Sequence, residues 1–102
     1  MKNEKVTSLL RMAQKGRMVE VGRTAVSILL QRNRASLVIL AADASEKLKK
    51  EIESECIKKR VPVYIFSNKI ELGNLFGRDL LGTIAISNKN LAAGIVKVLD
   101  SP

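Results

Sequence analysis

A short stretch near the start of the chain, VEVGRTAVSI at residues 19–28, has residue types suited to holding an anion. A β-branched run is followed by Gly22, Arg23 and Thr24, and then by an apolar segment typical of a helix. The first turn of a helix presents unpaired backbone N–H groups, and a glycine there lets a ligand approach the backbone. The stretch therefore predicts an anion site, although a turn glycine with positive φ explains Gly22 equally well.

The residues needed for most kinds of catalysis are missing from the sequence. The chain has no histidine, so it has neither an imidazole base nor a histidine metal ligand. Neither the Gly-x-x-x-x-Gly-Lys phosphate loop nor the Gly-x-Gly-x-x-Gly nucleotide-binding motif occurs. Asp43 is expected to hydrogen-bond at a local turn, Cys56 to be a small core residue, and Tyr64 to pack across strands. We therefore predict a protein that is not an enzyme and that uses no metal and no cofactor.

Composition predicts one globular domain spanning residues 1–102. Hydrophobic residues make up 46% of the chain and charged residues 27%, which is enough apolar surface for one core. No apolar run approaches the ~20 residues of a membrane span, and the opening MKNEKVTSLL lacks the apolar stretch of a signal peptide. The single cysteine agrees with a reducing compartment, so we expect a cytoplasmic location.

The net charge of +8 favours a polyanionic partner. The charge is uneven, because the first 34 residues hold eight basic and only two acidic side chains. Nucleic acid is the preferred partner, whereas an acidic protein, membrane headgroups or a plain solvated surface remain alternatives. Arg32 and Arg34 lie ~15 Å beyond the start of the second predicted helix, so we leave them out of the site.

Apolar spacing predicts an alternating α-β-α-β-α-β-α-β-α order. The second helix is apolar on most sides and is expected to be largely buried. Helices on both faces of a four-stranded sheet would bury all these apolar faces. The predicted elements are a first helix ended by Gly16, a strand at 18–21, a helix from about 24 to Asn33, a strand at 36–42, a helix capped by Ser45, a strand at 63–66, a helix at 68–75 closed by Gly77, a strand at 81–87, and a last helix capped by Ser87 or Asn88.

Five segments of the sequence together resemble one protein family. They are LLRMAQKGRMVEVG, SLVILAADAS, CIKKRVPVYIF, KIELGNLFG and TIAISNKNLAAGI, which occur in this order from Leu9 to Ile95. In this pattern the chain is similar to the ribosomal kink-turn-binding proteins (the L-seven-Ae and L-thirty-e family), and most of all to short bacterial members encoded among translation factors. The resemblance implies a three-layer α/β/α sandwich with a mixed four-stranded sheet. It also implies binding, without catalysis, to RNA that bends sharply at tandem sheared G·A pairs.

The resemblance also implies where RNA would bind. The family's RNA surface is formed by the first strand–helix junction, the start of the second helix, and the loop before the fourth strand. In this chain the matching residues are Gly22, Arg23, Thr24, Ala25, Ile28, Arg78, Asp79 and Leu80.

At three of these positions the chain departs from the family pattern. Archaeal members have an Asn-Glu pair after the glycine and a lysine one turn later, which read guanines. Here Thr24, Ala25 and Ile28 occupy those places, and only the threonine can form a side-chain hydrogen bond. A lost bidentate base contact costs ~1–3 kcal/mol of discrimination. We therefore expect general RNA affinity through Arg23, Arg78 and the basic first third, with reduced kink-turn specificity.

The sequence thus predicts a monomeric RNA-binding protein associated with ribosomes or translation. Its partner would be a structured RNA, such as ribosomal RNA or an mRNA leader, with ribosomal or ribonucleoprotein partners nearby. One alternative is a protein-interaction module on the same fold, using an apolar patch around Ala25, Ile28 and Leu80. A second is an accessory domain of an RNA-modifying enzyme, which would need a separate catalytic partner.

Overall fold

A computed structural model describes residues 2–102, and the elements alternate along this part of the chain as the apolar spacing predicts. They are α1 (Lys2–Lys15), β1 (Val19–Val21), α2 (Arg23–Gln31), β2 (Leu37–Leu40), α3 (Glu46–Lys59), β3 (Val63–Ile65), α4 (Lys69–Leu75), β4 (Thr83–Ile86) and α5 (Lys89–Asp100).

The four strands form one mixed sheet in the order β1-β4-β2-β3. β4 runs antiparallel to both of its neighbours, and β2 runs parallel to β3. The register pairs Val21 with Ile84 and Leu40 with Thr83. Because β1, β2 and β3 all point the same way, their carboxyl ends lie at one end of the sheet, together with the start of β4.

Helices cover both faces of the sheet, which gives the expected three-layer α/β/α sandwich. On one face α1, α4 and α5 pack over alternate residues of β2 and β4, including Ile39 and Ile84. On the other face α2 and α3 pack over the intervening residues, including Val38 and Ala85. Every residue of β2 and β4 is buried, because a central strand covered on both faces has no solvent side.

Three helices begin with side-chain caps, of which the sequence predicts those of α3 and α5. Ser45 Oγ accepts a hydrogen bond from the Leu48 amide at 3.1 Å, at the start of α3. Asn68 caps α4 in the same way, and Asn88, rather than Ser87, caps α5. Such a side-chain oxygen satisfies one of the amides that the first turn leaves unpaired.

The ends of the helices differ in part from the prediction. Asn33 has a positive φ of 58° after α2, as expected of a residue that tolerates the left-handed region. α1 ends at Lys15, directly before Gly16 as predicted, and the left-handed residue there is Arg17 (φ 56°). Arg60 (φ 57°) ends α3 in the same conformation.

All four predicted strands were one to three residues too long, since β1 lacks residue 18, β3 lacks residue 66, and β2 and β4 are shorter by three. The second strand begins at Leu37 and ends at Leu40 instead of running over 36–42. The fourth begins at Thr83 rather than Leu81, since the Leu81 amide donates to the Lys69 carbonyl at 3.0 Å and so belongs to a loop.

The helix α2 is less buried than expected. Only Val26 and Leu30 are fully enclosed, and Ile28 is 42% exposed. The helix covers β1 and β4 at one side of the sheet and packs against α3, so its outer face remains in solvent. No helix within residues 2–102 is both long enough and apolar enough to cross a membrane.

The three residues considered above as candidates for chemistry, Asp43, Cys56 and Tyr64, make contacts that support the fold. Cys56 is buried, and burial raises the pKa of its thiol to about 11, so the thiol stays protonated at neutral pH. Tyr64 packs against the core and its hydroxyl donates to Asp100 Oδ1 at 2.8 Å. Asp43 accepts from the Lys69 amide at 2.8 Å, so it binds the start of α4 rather than its own turn.

Candidate functional site

The two segments predicted to form the site lie at the same end of the sheet. Gly22 follows the last residue of β1, and its amide donates to the Thr83 carbonyl at 2.9 Å. The loop at residues 76–82, here called the α4–β4 loop, leads directly into Thr83. The start of β4 therefore holds the strand–helix junction and the loop beside each other, although about 60 residues separate them along the chain.

Gly22 has a backbone conformation that requires glycine. Its φ of 92° and ψ of 161° lie in a region that is essentially closed to residues with a side chain. The Gly22 carbonyl accepts from the Val26 amide at 3.0 Å, so the residue begins α2 while its own amide is tied to β4. The conformation turns the chain sharply from β1 into the helix.

The first turn of α2 is open. The backbone amides of Arg23, Thr24 and Ala25 donate no hydrogen bond to any of the described residues 2–102, and no side chain caps the helix. By contrast, α3, α4 and α5 all have a serine or asparagine cap. Three unpaired donors at the positive pole of a helix are well placed to bind an anion.

Packing against Gly73, inside α4, places the α4–β4 loop. A Cβ at Gly73 would lie only 2.5 Å from the Arg78 carbonyl oxygen and 3.0 Å from that of Asp79. The Arg78 amide donates to the Gly73 carbonyl at 2.8 Å, so the loop folds directly onto the helix. Sequence reasoning missed Gly73, although an interior helical glycine is a signal of close packing.

The tip of the α4–β4 loop is open to solvent. Arg78, Asp79 and Leu80 are exposed, and the 61% exposure of Leu80 excludes a core role for it. Ile28 lies one turn into α2 and is also exposed. This end of the molecule thus combines unpaired amides with two exposed apolar side chains, and that mixture suits a ligand with both charged and flat apolar parts.

Arg23 does not reach out in front of the helix. Its guanidinium lies 2.8 Å from a Glu55 carboxylate oxygen and 4.0 Å from one of Glu51, and it also donates to Ser27. Both glutamates lie on α3. Their i, i+4 spacing on one helix face was visible in the sequence, but their pairing with Arg23 was not.

This end of the molecule carries little net charge. Residues 22–24, 41–47, 66–70 and 76–83 contain four basic and three acidic side chains. An anion here would be bound mainly by backbone amides rather than attracted by many basic side chains. Among the eight basic residues of the first third, Arg23 alone falls within these ranges.

The described residues do not meet the needs of a metal site. Residues 2–102 contain no group of three or more histidine, cysteine or acidic side chains placed to hold a metal ion. The arrangement at the open end of α2 offers unpaired backbone donors and exposed apolar surface.

Comparison with known proteins tests that resemblance. The model of the ribosomal protein L7Ae/L30e/S12e/Gadd45 family matches residues 4–96. The chain belongs to this family. The RNA-binding protein YlxQ of Bacillus subtilis (strain 168) is 28% identical over 92 residues, which are 90% of this chain and 92% of the relative. A protein of unknown function from Bacillus halodurans C superimposes with a TM-score of 0.90 at 27% identity, over 95% of this chain and 98% of that one. The expected family and fold are therefore confirmed.

Proposed function

We propose that this chain is a non-catalytic, cytoplasmic RNA-binding protein of the ribosome or translation apparatus. It recognises structured RNA of the kink-turn kind with the open first turn of α2 and the α4–β4 loop. The observation that carries the proposal is the set of three unpaired amides at Arg23, Thr24 and Ala25, beside an exposed loop. The family membership and the name of the Bacillus subtilis relative support RNA as the ligand.

The chemistry of the site fits bent RNA better than a plain duplex. Phosphate oxygens accept hydrogen bonds from the amides at a helix N-terminus, and Gly22 leaves room for the backbone to approach. A sharp bend unstacks bases, and the exposed side chains of Ile28 and Leu80 offer apolar surface for them. Ala25 and Ile28 provide no polar group for reading a base, so recognition depends mainly on RNA shape.

A charge at Thr24 tests this proposal. Thr24→Asp places a carboxylate among the free amides, where it stabilises the helix but repels phosphate. We expect affinity for a kink-turn RNA to fall at least ~10-fold, measured by mobility shift. Thr24→Ser, which keeps the hydroxyl and adds no charge, is the matched neutral control, and its affinity should stay within about threefold of wild type. Equal affinities of the two variants would contradict the proposal.

RNA shape is tested by a second titration. The same duplex is compared with and without its tandem G·A pairs, and we expect a preference of roughly 10-fold for the kinked form. The preference is small because the polar side chains that read guanines in archaeal members are absent. Equal affinity for both duplexes would leave only generic RNA binding.

A protein-interaction module is the second candidate, and the exposure of Ile28 and Leu80 favours it. The same apolar surface that suits unstacked bases also suits a protein partner. The two functions separate in the titrations, because a protein partner does not depend on phosphate. Unchanged RNA binding by both Thr24→Asp and Arg78→Glu would favour the protein-interaction module.

A further inference from the structure

The end of the sheet opposite the open turn of α2 gathers four segments that are distant in sequence. They are residues 15–19 before and at the start of β1, 32–36 before β2, 58–63 before and at the start of β3, and 86–90 at the end of β4. The Ser36 amide donates to the Ile86 carbonyl, and the Ser87 amide donates to the Met18 carbonyl, which joins three of the segments directly. We call these four segments the basic end.

The basic end accounts for the whole net charge of the protein. Its segments contain eight basic residues and no acidic one, while the other residues hold ten basic and ten acidic side chains. The opposite end is nearly neutral, as described above. The eight residues are Lys15, Arg17, Arg32, Arg34, Lys58, Lys59, Arg60 and Lys89.

Sheet order sets four of these charges in a row. In the order β1-β4-β2-β3, Arg17, Lys89, Arg34 and Arg60 each lie two or three residues beyond a strand end. Neighbouring strands are about 4.8 Å apart, so the row is roughly 15 Å wide. Beside it, Lys59 Nζ donates to Asn33 Oδ1 at 3.1 Å, which links the ends of α2 and α3.

The charges of the basic end have no acidic partners among residues 2–102. None of the eight basic side chains forms an ion pair with any residue in the range 2–102. All eight residues are exposed to solvent. The groups are therefore available to an external anion.

Helix dipoles explain only part of this clustering. α1, α2 and α3 end here, and cations are favourable near the negative pole of a helix. Lys89, however, is the first residue of α5, where a cation is unfavourable. Arg17 and Arg60 also have the left-handed backbone that glycine adopts with less strain. Stability of the helices alone does not account for basic residues at these three positions.

We propose that the basic end is a second RNA-binding surface, which holds the phosphate backbone of an ordinary duplex without reading its sequence. The molecule measures 32 × 28 × 28 Å, so the two ends contact separate stretches of RNA. A protein bound through both ends joins a bent RNA element to a neighbouring helix. The choice of RNA as the polyanion rests on the proposed function, whereas the location of the surface does not.

The surface fits nucleic acid better than a membrane. Stable binding to lipid needs apolar side chains that enter the bilayer in addition to positive charge. None of the large exposed apolar residues of the described chain lies within the four segments, and Ile57 is the nearest in sequence. A row of cations without an apolar face matches the regularly spaced phosphates of a duplex.

The test uses a plain duplex of about 20 base pairs without bulges or G·A pairs, titrated at several salt concentrations. Arg17→Gly/Arg60→Gly removes two charges and relieves the left-handed backbone, so its melting temperature should not fall. We expect duplex affinity to drop at least ~10-fold and the slope of log K against log salt to decrease by about 2. Arg17→Asn/Arg60→Asn repeats the charge loss with a residue that tolerates the same conformation.

Controls separate location from total charge. Lys5→Gln/Lys50→Gln removes two exposed charges outside the basic end and should change duplex affinity less than threefold. Thr24→Asp should leave affinity for the plain duplex unchanged, because it alters only the open turn of α2. The result for the basic end can therefore be separated from the result for the proposed kink-turn site. The proposal would be overturned if the Lys5→Gln/Lys50→Gln variant lost as much duplex affinity as the arginine double variants. It would also be overturned if the arginine substitutions left duplex affinity unchanged. A third outcome would also overturn it: the protein binds vesicles of anionic phospholipid through both arginines but does not bind the duplex.

Discussion

Gly22 illustrates how one residue limits what the site tolerates. A side chain at φ 92° and ψ 161° would be strained even though no atom lies within 4 Å of the added Cβ. We predict that Gly22→Ala lowers the free energy of unfolding by about 1–3 kcal/mol, measured by urea denaturation. Gly94→Ala is the control, because Gly94 lies inside α5 with open space around it and alanine favours a helix by about 1 kcal/mol. Destabilisation of equal size in both variants would contradict the assigned role of Gly22.

Glu51 and Glu55 restrain the one arginine at the open turn of α2. We predict that Glu51→Gln/Glu55→Gln strengthens RNA binding about 3- to 10-fold, because it releases the Arg23 guanidinium and removes two negative charges near the phosphate site. The affinity is measured by mobility shift with a kink-turn duplex. Glu53→Gln, on the same helix but without an ion pair to any described residue, is the control for net charge. An identical gain from that single change would show that Arg23 is not involved.

Cys56 makes stability depend on pH above neutrality. Burial raises its pKa from 9.0 to about 11, so the unfolded chain loses the thiol proton at lower pH than the folded chain. The thiol's contribution to stability is complete below pH 9 and is lost as pH rises from 9 to about 11.

We predict that between about pH 8 and about pH 10.5 the wild type loses about 2 kcal/mol more unfolding free energy than Cys56→Ala. Urea denaturation at both pH values measures the difference, and comparison of the two proteins removes the effects of pH that they share. If both proteins lost the same unfolding free energy, the thiol would ionise as easily in the folded state as in the unfolded chain.

At the scale of elements, the junction and the α4–β4 loop are held by contacts between segments far apart in sequence. Gly73 lets the loop lie against α4, and the Gly22 amide binds the residue that follows the loop. Secondary-structure patterns predict both α4 and the loop, but they do not predict that the loop folds back on the helix. The shape of the site therefore depends on packing that a local reading does not reveal.

We predict that Gly73→Ala displaces the α4–β4 loop and weakens kink-turn RNA binding roughly 5- to 20-fold, because the added Cβ would lie 2.5 Å from the Arg78 carbonyl oxygen. Amide exchange by NMR at residues 78–81 should show loss of protection, since the Arg78 and Leu81 amides are bonded to α4. Gly94→Ala again serves as the control. Native protection of those amides together with native affinity would refute the role given to Gly73.

At the scale of the whole molecule, the unpaired charges of the basic end repel one another. Salt screens this repulsion, so the folded protein should become more stable as the salt concentration rises. Between about 0.05 M and about 0.5 M NaCl we predict a gain of about 0.5–1 kcal/mol in unfolding free energy. Arg17→Gly/Arg60→Gly should show about half of this gain, whereas Lys5→Gln/Lys50→Gln should show nearly all of it. Identical salt dependence in the three proteins would mean that the charges are spread evenly.

Much of the fold was predictable because the signals that define it are local. The helix caps Ser45, Asn68 and Asn88 act within three residues, and the apolar spacing of each segment selects its buried face. Segments such as SLVILAADAS and KIELGNLFG also indicated the family. The same segments predicted the candidate residues at the junction, but they did not predict which residues those candidates contact.

The sequence by itself determined the order of elements, the caps, the family and the excess of positive charge. Only the tertiary structure decided that Arg23 lies against Glu55, that Gly73 supports the α4–β4 loop, and that the net charge gathers away from the open turn of α2. The physical reason is distance. Caps and apolar periodicity act between residues close in sequence, whereas ion pairs, packing and charge fields depend on separation in space, which the strand order β1-β4-β2-β3 sets.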